Sequence, residues 1–178
     1  LSNNLRSLLD SHFKINCANI HKAEKSIDGT IKYSFQLYDN LLVEGVLIPS
    51  RKRVTACVSS QVGCSLTCDF CATGTLKLQR NISAAEIYDQ VFILNKESIK
   101  NFGRNLTNIV YMGMGEPLLN YNAVLNSIGL ITSNTGLGMS PKRITVSTAG
   151  IAKMIKKLAD DEIKFNLAIS LHTASDEK

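Results

Sequence analysis

The run RVTACVSSQVGCSLTCDFC, residues 53–71, decides how the chain is read. Its first part, Arg53 to Ser60, is β-branched and largely apolar, and it predicts a strand that delivers Gly63 and Cys64 into a loop at its C-terminal end. Loops leaving strand ends are where α/β folds place chemistry. Here the loop holds Cys64, Cys68 and Cys71 in the spacing C-x3-C-x2-C, which lets three thiolates close around one inorganic centre. A cubic 4Fe-4S cluster held by three cysteines keeps one iron open, whereas clusters that only carry electrons are usually held by four. Zinc competes for the same thiolates, but a tetrahedral site needs a fourth Cys or His. His12, His21 and His172 are not nearby in the chain, and Cys17 and Cys57 form no second tight pair, although distant residues can meet in space. The motif in its flanking context favours iron and sulfide.

Beyond the loop the sequence alternates between strand and helix patterns, which predicts a parallel sheet because parallel strands need crossover helices. Ser83 with Glu86 reads as a capping box opening a helix whose buried stripe is Ile87, Val91 and Leu94 and which ends before Gly103. Asn108 to Met114 reads as a strand, Asn122 to about Thr132 as a helix with Val124, Leu125, Ile128 and Ile131 inward, and Arg143 to Thr148 as the next strand. Ile151 to Ala159 predicts a helix burying Ile155 and Leu158, and Phe165 to Leu171 another strand. Upstream, Leu5 to Phe13 carries apolar residues at helical spacing, and Thr30 to Leu37 and Leu41 to Ile48 flank Asp39-Asn40 as a β-hairpin. The expected division is an accessory remnant with its hairpin over 1–50 and the α/β domain over 51–178.

A chain of 178 residues with 44% hydrophobic content can build one core. No apolar run approaches the roughly 20 residues needed to span a bilayer, and no secretory segment opens the chain, so a cytoplasmic location is expected. Five cysteines, an odd number, do not suggest a disulfide framework, and a reduced compartment suits a labile cluster. Net charge +5 and a pI near 9.0 are compatible with an RNA partner without requiring one.

Four further stretches join the cluster motif in one order: Cys57 seven positions ahead of Cys64, then Met112-Gly113-Met114-Gly115-Glu116-Pro117, Ser147-Thr148-Ala149-Gly150, and Ser170-Leu171-His172. Together they resemble the radical S-adenosylmethionine enzymes, and more narrowly the adenine-C2 methyltransferases of 23S rRNA and tRNA. The resemblance runs from about Glu44 to His172. It implies the first half of a partial parallel (β/α)6 barrel, preceded by the hairpin and a helical remnant. It implies a 4Fe-4S cluster on Cys64, Cys68 and Cys71, and S-adenosylmethionine bound by Gly115, Glu116, Ser147, Ser170, Leu171 and His172. An external, flavodoxin-like electron donor belongs with it.

The same resemblance makes Cys57 the thiol that resolves a covalent enzyme–RNA intermediate through a transient disulfide, and Glu44 a proton acceptor. The methylated cysteine that would partner Cys57 has no counterpart here, so the chain is expected to be a fragment that turns over nothing alone. Each residue also has a plainer reading. Gly113 to Glu116 is an ordinary strand-to-helix turn with Pro117 near the helix start, Ser147 an ordinary cap, His172 a structural histidine, Cys57 a small buried hydrophobe and Glu44 a solvent-facing strand residue. Arg51, Lys52, Arg53, Lys77 and Arg80 are candidates for RNA phosphates, or solvated charge. The alternatives at the level of function are a related C8-adenine methyltransferase, disfavoured by Pro117 after Gly115-Glu116, and an iron–sulfur or zinc module that only binds RNA.

Overall fold

In a computed structural model, residues 1–12, 18–69 and 71–171 are described; Cys17 and His172 lie outside them. Helix α1 (Asn3–His12) is followed by strands β1 (Asn19–Lys25), β2 (Ile31–Gln36), β3 (Leu42–Pro49) and β4 (Val54–Cys57), and by the short strands β5 (Gln61–Val62) and β6 (Arg80–Asn81). Helix α2 (Ala84–Phe102), β7 (Asn108–Tyr111), α3 (Tyr121–Thr132), β8 (Ile144–Thr148), α4 (Ala152–Asp160) and β9 (Asn166–Ile169) complete the order. The long strands form one seven-stranded sheet in the order β1-β2-β3-β4-β7-β8-β9. Its first four strands pair antiparallel and the rest parallel, so β4 is the seam, with Cys57 opposite Val46 on one side and Val110 on the other.

Residue alternation explains which face is closed. Val54 and Ala56 on the first strand of the parallel half with Val58 just past its end, Ile109 and Tyr111 on the second, and Ile144 and Val146 on the third are fully buried in one core with Ile87, Val91 and Leu94 of α2. The Tyr111 hydroxyl meets Ser127 Oγ at 2.7 Å and ties β7 to α3. Positions between these, such as Thr55, Val110 and Ser147, are less covered and belong to the opposite face. Helix α2 starts where its sequence says: Ser83 Oγ accepts from the Glu86 amide, Glu86 returns a bond to the Ser83 amide, and Gly103 closes the helix in the left-handed conformation.

Two differences from the sequence-based expectation have clear causes. Strand β1 was unforeseen, and the hairpin is a three-stranded antiparallel unit. Every residue of β1 is exposed, so the strand is held by its backbone ladder to β2 and carries no alternating apolar signal. Within the run 53–60, the ladder to β7 ends at the Val58 amide, which donates to Val110 O at 3.0 Å, because the groups beyond it bond the loop that follows β7: Gly113 N–H donates to Val58 O at 3.0 Å and Ser60 N–H to Met114 O at 2.9 Å. The N-terminal helix forms as expected but buries no side chain. In α4, Leu158 is buried, while Ile155 packs only partly against the core.

Arg80 is committed to partners within the chain. Its Nη1 and Nη2 meet the two Glu86 carboxylate oxygens at 3.0 and 2.8 Å, its Nε meets Asp39 Oδ2 at 2.6 Å, and its guanidinium lies over the Tyr38 ring. This fork fastens the β2–β3 turn to the start of α2, and the planar bidentate geometry is one that lysine cannot supply. Arg80→Met leaves the nearly buried Glu86 carboxylate without its cation, and we expect a loss of about 2 kcal/mol, read as a lower urea midpoint.

Candidate functional site

The cysteine loop is a closed excursion. Gln61 and Val62 pair antiparallel with Asn81 and Arg80, so residues 63–79 hang from a two-rung stem at the end of β4. Within the loop the Cys71 N–H donates to Cys68 O at 3.0 Å, the Cys64 N–H to Leu76 O at 3.2 Å, and the Leu66 N–H points at the Cys64 sulfur at 3.4 Å. All three thiols are partly exposed, and Cys57, Cys64, Cys68 and Cys71 are free thiols, with no disulfide among the described cysteines.

One cavity of about 310 Å3 gathers the three cysteines and four of the six residues expected to bind the cofactor. Cys64, Cys68 and Cys71 form one wall, Gly113, Gly115 and Glu116 the second, and Ser147, Thr148, Ala149 and Ser170 the third. Ser147 and Ser170 on adjacent strand ends have their hydroxyls 3.2 Å apart. Leu171, 74% exposed, does not line the cavity. The described histidines, His12 and His21, do not line it either.

Glu116, only 3% exposed, is held more tightly than a free ligand-seeking carboxylate. One oxygen accepts from the Leu118 amide at 3.0 Å, capping the short turn that begins at Pro117, and the other accepts from the Ala149 amide at 2.8 Å. Glu116 thus joins the loop after β7 to the loop after β8, and any further donor must share its remaining lone pairs. Gly115 has φ +93°, and a Cβ there would stand 2.4 Å from Gln61 Cβ. Backbone handedness and close approach both require glycine at this wall.

Cys57 and Glu44 occupy the adjoining space. A second cavity, about 380 Å3, is lined by both of them, and it shares Cys71, Met112 and Gly113 with the first. Burial pushes the Cys57 thiol up to about 11, with the Met112 backbone opposing. Glu44 lies across the hairpin from Lys32, 2.6 Å from its ammonium, and is about half exposed.

The sequence reading missed the buried polar groups that assemble these walls. Ser59 Oγ donates to Glu44 O at 2.6 Å and accepts from the Met114 amide at 2.9 Å. The Gln90 amide clasps the Ser59 backbone through both its oxygen and its nitrogen. Asn120 Nδ2 donates to Ser60 O and Ile82 O. A signal existed: Gln90 interrupts the apolar stripe of α2, and Ser59, Ser60 and Gln61 interrupt an apolar run.

The donor set fits an iron–sulfur cluster. Three thiols are brought to one wall, and the carboxylate that lines the same cavity is already occupied by two amides, so the lining supplies no obvious fourth protein ligand. Among the described residues, no three His, Cys, Asp or Glu side chains are gathered as a site for one metal ion.

The family model of the Radical SAM superfamily matches residues 58–178, and the chain belongs to that superfamily. Membership implies a 4Fe-4S cluster and S-adenosylmethionine as cofactors. More narrowly, the chain is 58% identical over 177 residues to a Flavobacterium psychrophilum protein described as "Probable dual-specificity RNA methyltransferase RlmN", covering 99% of this chain and 51% of that protein. It is 46% identical to the "Dual-specificity RNA methyltransferase RlmN" of Syntrophobacter fumaroxidans, covering 99% of this chain and 51% of that one. A solved structure of a radical SAM methyltransferase from Sphaerobacter thermophilus superposes with a TM-score of 0.93 at 39% identity, over 99% of this chain and 52% of its own. The chain spans about half the length of the curated relatives it matches.

Two outcomes test this geometry. Difference titration of the chain against Cys57→Ser yields a thiol midpoint near 11 instead of 9.0, the ordinary value. The neutral thiol is favoured by the fold, so its stabilising contribution is complete below pH 9 and lost as pH rises through 11. Gly115→Ala costs about 3 kcal/mol from strain plus overlap. Gly138→Ala, also at positive φ but facing open space, costs only about 1 kcal/mol.

Proposed function

We propose that this chain carries the cluster-binding and cofactor-binding part of an adenine-C2 methyltransferase acting on 23S rRNA and tRNA. The observation that supports it most directly is the pair of adjoining cavities: the cysteine triad and the Gly115–Glu116 turn line one, Cys57 and Glu44 the other, with Cys71, Met112 and Gly113 common to both. C2 of adenine is an electron-poor carbon, so direct polar transfer from a methylsulfonium is unattractive there. When bound, the cluster and S-adenosylmethionine supply one-electron chemistry capable of hydrogen-atom abstraction.

In this reading the chain's residues divide the work by wall. Cys64, Cys68 and Cys71 would hold the cluster, and the Gly115–Glu116 turn with Ser147 and Ser170 would orient S-adenosylmethionine beside it. His172 and Leu171, assigned to the same cofactor by resemblance, remain part of the proposal. Cys57 acts on the neighbouring cavity: its deprotonated sulfur bonds the sulfur of the cysteine that links protein to RNA, and that cysteine's bond to the transferred carbon breaks. The electron pair passes to the carbon on the base, which takes up a proton to become the methyl group. The raised pKa of Cys57 keeps it a neutral thiol at pH 7 until a base takes its proton. Glu44 is the proton acceptor of this cavity, after release from Lys32. RNA phosphates meet exposed Arg51, Lys52 and Arg53. A flavodoxin-like donor supplies the electron, and the setting is the cytoplasm; no described helix is long and apolar enough to cross a membrane.

Anaerobic loading with iron and sulfide is the first test: the chain takes up about four irons, and Cys68→Ala loses the cluster's visible absorption. A stoichiometric zinc ion in its place would overturn the reading. In a protein of the relatives' full length, Cys57→Ala keeps the cluster but leaves protein covalently attached to RNA, and the methyl group maps to C2. A methyl at C8 would reassign the target carbon, and unimpaired release by Cys57→Ala would leave Cys57 as a core residue.

A further inference from the structure

We infer that Gln61 is a positioning residue that sets the spacing between the cysteine loop and the Gly115–Glu116 turn, and through them the seat of S-adenosylmethionine. The inference rests on the cofactor assignment above and extends it to a residue to which that assignment gives no role. Gln61 is 1% exposed and stands on the first rung of the stem from which the cysteine loop hangs, opposite Asn81. Its side chain does not stay in the stem. Oε1 accepts from the Glu116 amide at 2.8 Å, while Nε2 donates to Asn81 Oδ1 at 2.7 Å. Its backbone amide donates to Met114 O at 3.2 Å, and its Cβ and Cγ are the atoms against which Gly115 packs.

A continuous brace results. Asn81 on the far side of the stem bonds Gln61, Gln61 bonds the amide of Glu116, and the carboxylate of Glu116 bonds the amide of Ala149. These links cross all three walls of the 310 Å3 cavity, from cysteine loop to the loops after β7 and β8. A cofactor seated between the cysteine loop and those loops would need their separation fixed to a fraction of an ångström. The amide of glutamine is suited to this because it accepts toward one loop and donates toward the other. Leucine or methionine would fill the space yet leave the Glu116 amide without its partner.

The test compares the chain with Gln61→Met and Gln61→Glu, the latter keeping the acceptor toward Glu116. Hydrogen exchange on the cluster-free proteins should show faster exchange at residues 113–117 and 148–150 in Gln61→Met, with the α2 and α3 amides unchanged. After cluster loading, all three should carry the same iron and the same visible spectrum. Titration with S-adenosylmethionine, followed by the change in the electron paramagnetic resonance signal of the dithionite-reduced cluster, should show affinity at least tenfold weaker for Gln61→Met and within threefold of the unaltered chain for Gln61→Glu. Equal affinity in Gln61→Met overturns the positioning role, and so does loss of cluster and uniform acceleration of exchange in both variants, which would make Gln61 a general folding residue. If the unaltered chain binds cluster but not S-adenosylmethionine, the cofactor assignment itself fails, a result distinct from equal binding by all three.

Discussion

The structure depends on what becomes of the backbone after β4. From the Val58 carbonyl to the Gln61 amide the chain is buried and no longer pairs along the strand with β7, and its amides and carbonyls cannot be left bare. An unmet buried group costs about 1–3 kcal/mol, so partners must be found. They come from Gly113 and Met114 in the turn after β7, from the Ile82 amide, and from the side chains of Gln90 and Asn120, while the Glu116 amide bonds the Gln61 side chain. Strand, cysteine loop and glycine-containing turn are thereby assembled by one set of hydrogen bonds, and the cavity is the space they enclose.

This arrangement gives polar residues a structural reason to sit at an otherwise apolar centre. Glu116 brings a carboxyl group into a nearly sealed position and spends its two oxygens on two amides of the chain, so its side chain joins two loops at the cavity wall. Arg80 and Glu86 solve a different problem, pinning the hairpin turn to the start of α2 just beyond the cysteine loop. The loop is therefore anchored on both sides, by the Gln61 stem and by the ion pair, while its cysteines stay partly open to the cavity.

Much of the fold was legible because its signals are local. The capping box at Ser83, the stripe Ile87, Val91 and Leu94, and the strand around Val54 follow from neighbours within a few residues, and the structure has them in place. β1 was invisible because a strand exposed on every residue needs no hydrophobic period. The ion pairs of Arg80 were hidden because a charge in sequence carries no indication of the Asp39 and Glu86 that surround it. Gln61 and Ser59 looked like ordinary polar residues near a turn, although they hold the walls together.

By itself, then, the amino-acid order determined the kind of chemistry: three thiols at short spacing, glycines and a glutamate after one strand, a serine after the next, in an alternating α/β frame. Local backbone rules and ligand spacing are properties of neighbouring residues, so they survive in one dimension. Only the tertiary structure decided that Cys57 and Glu44 border the same space as Cys71, and that Gln61 reaches the amide of Glu116, 55 positions away. Those relations follow from β4 lying between an antiparallel strand and a parallel one, and strand order is set by packing of the whole core.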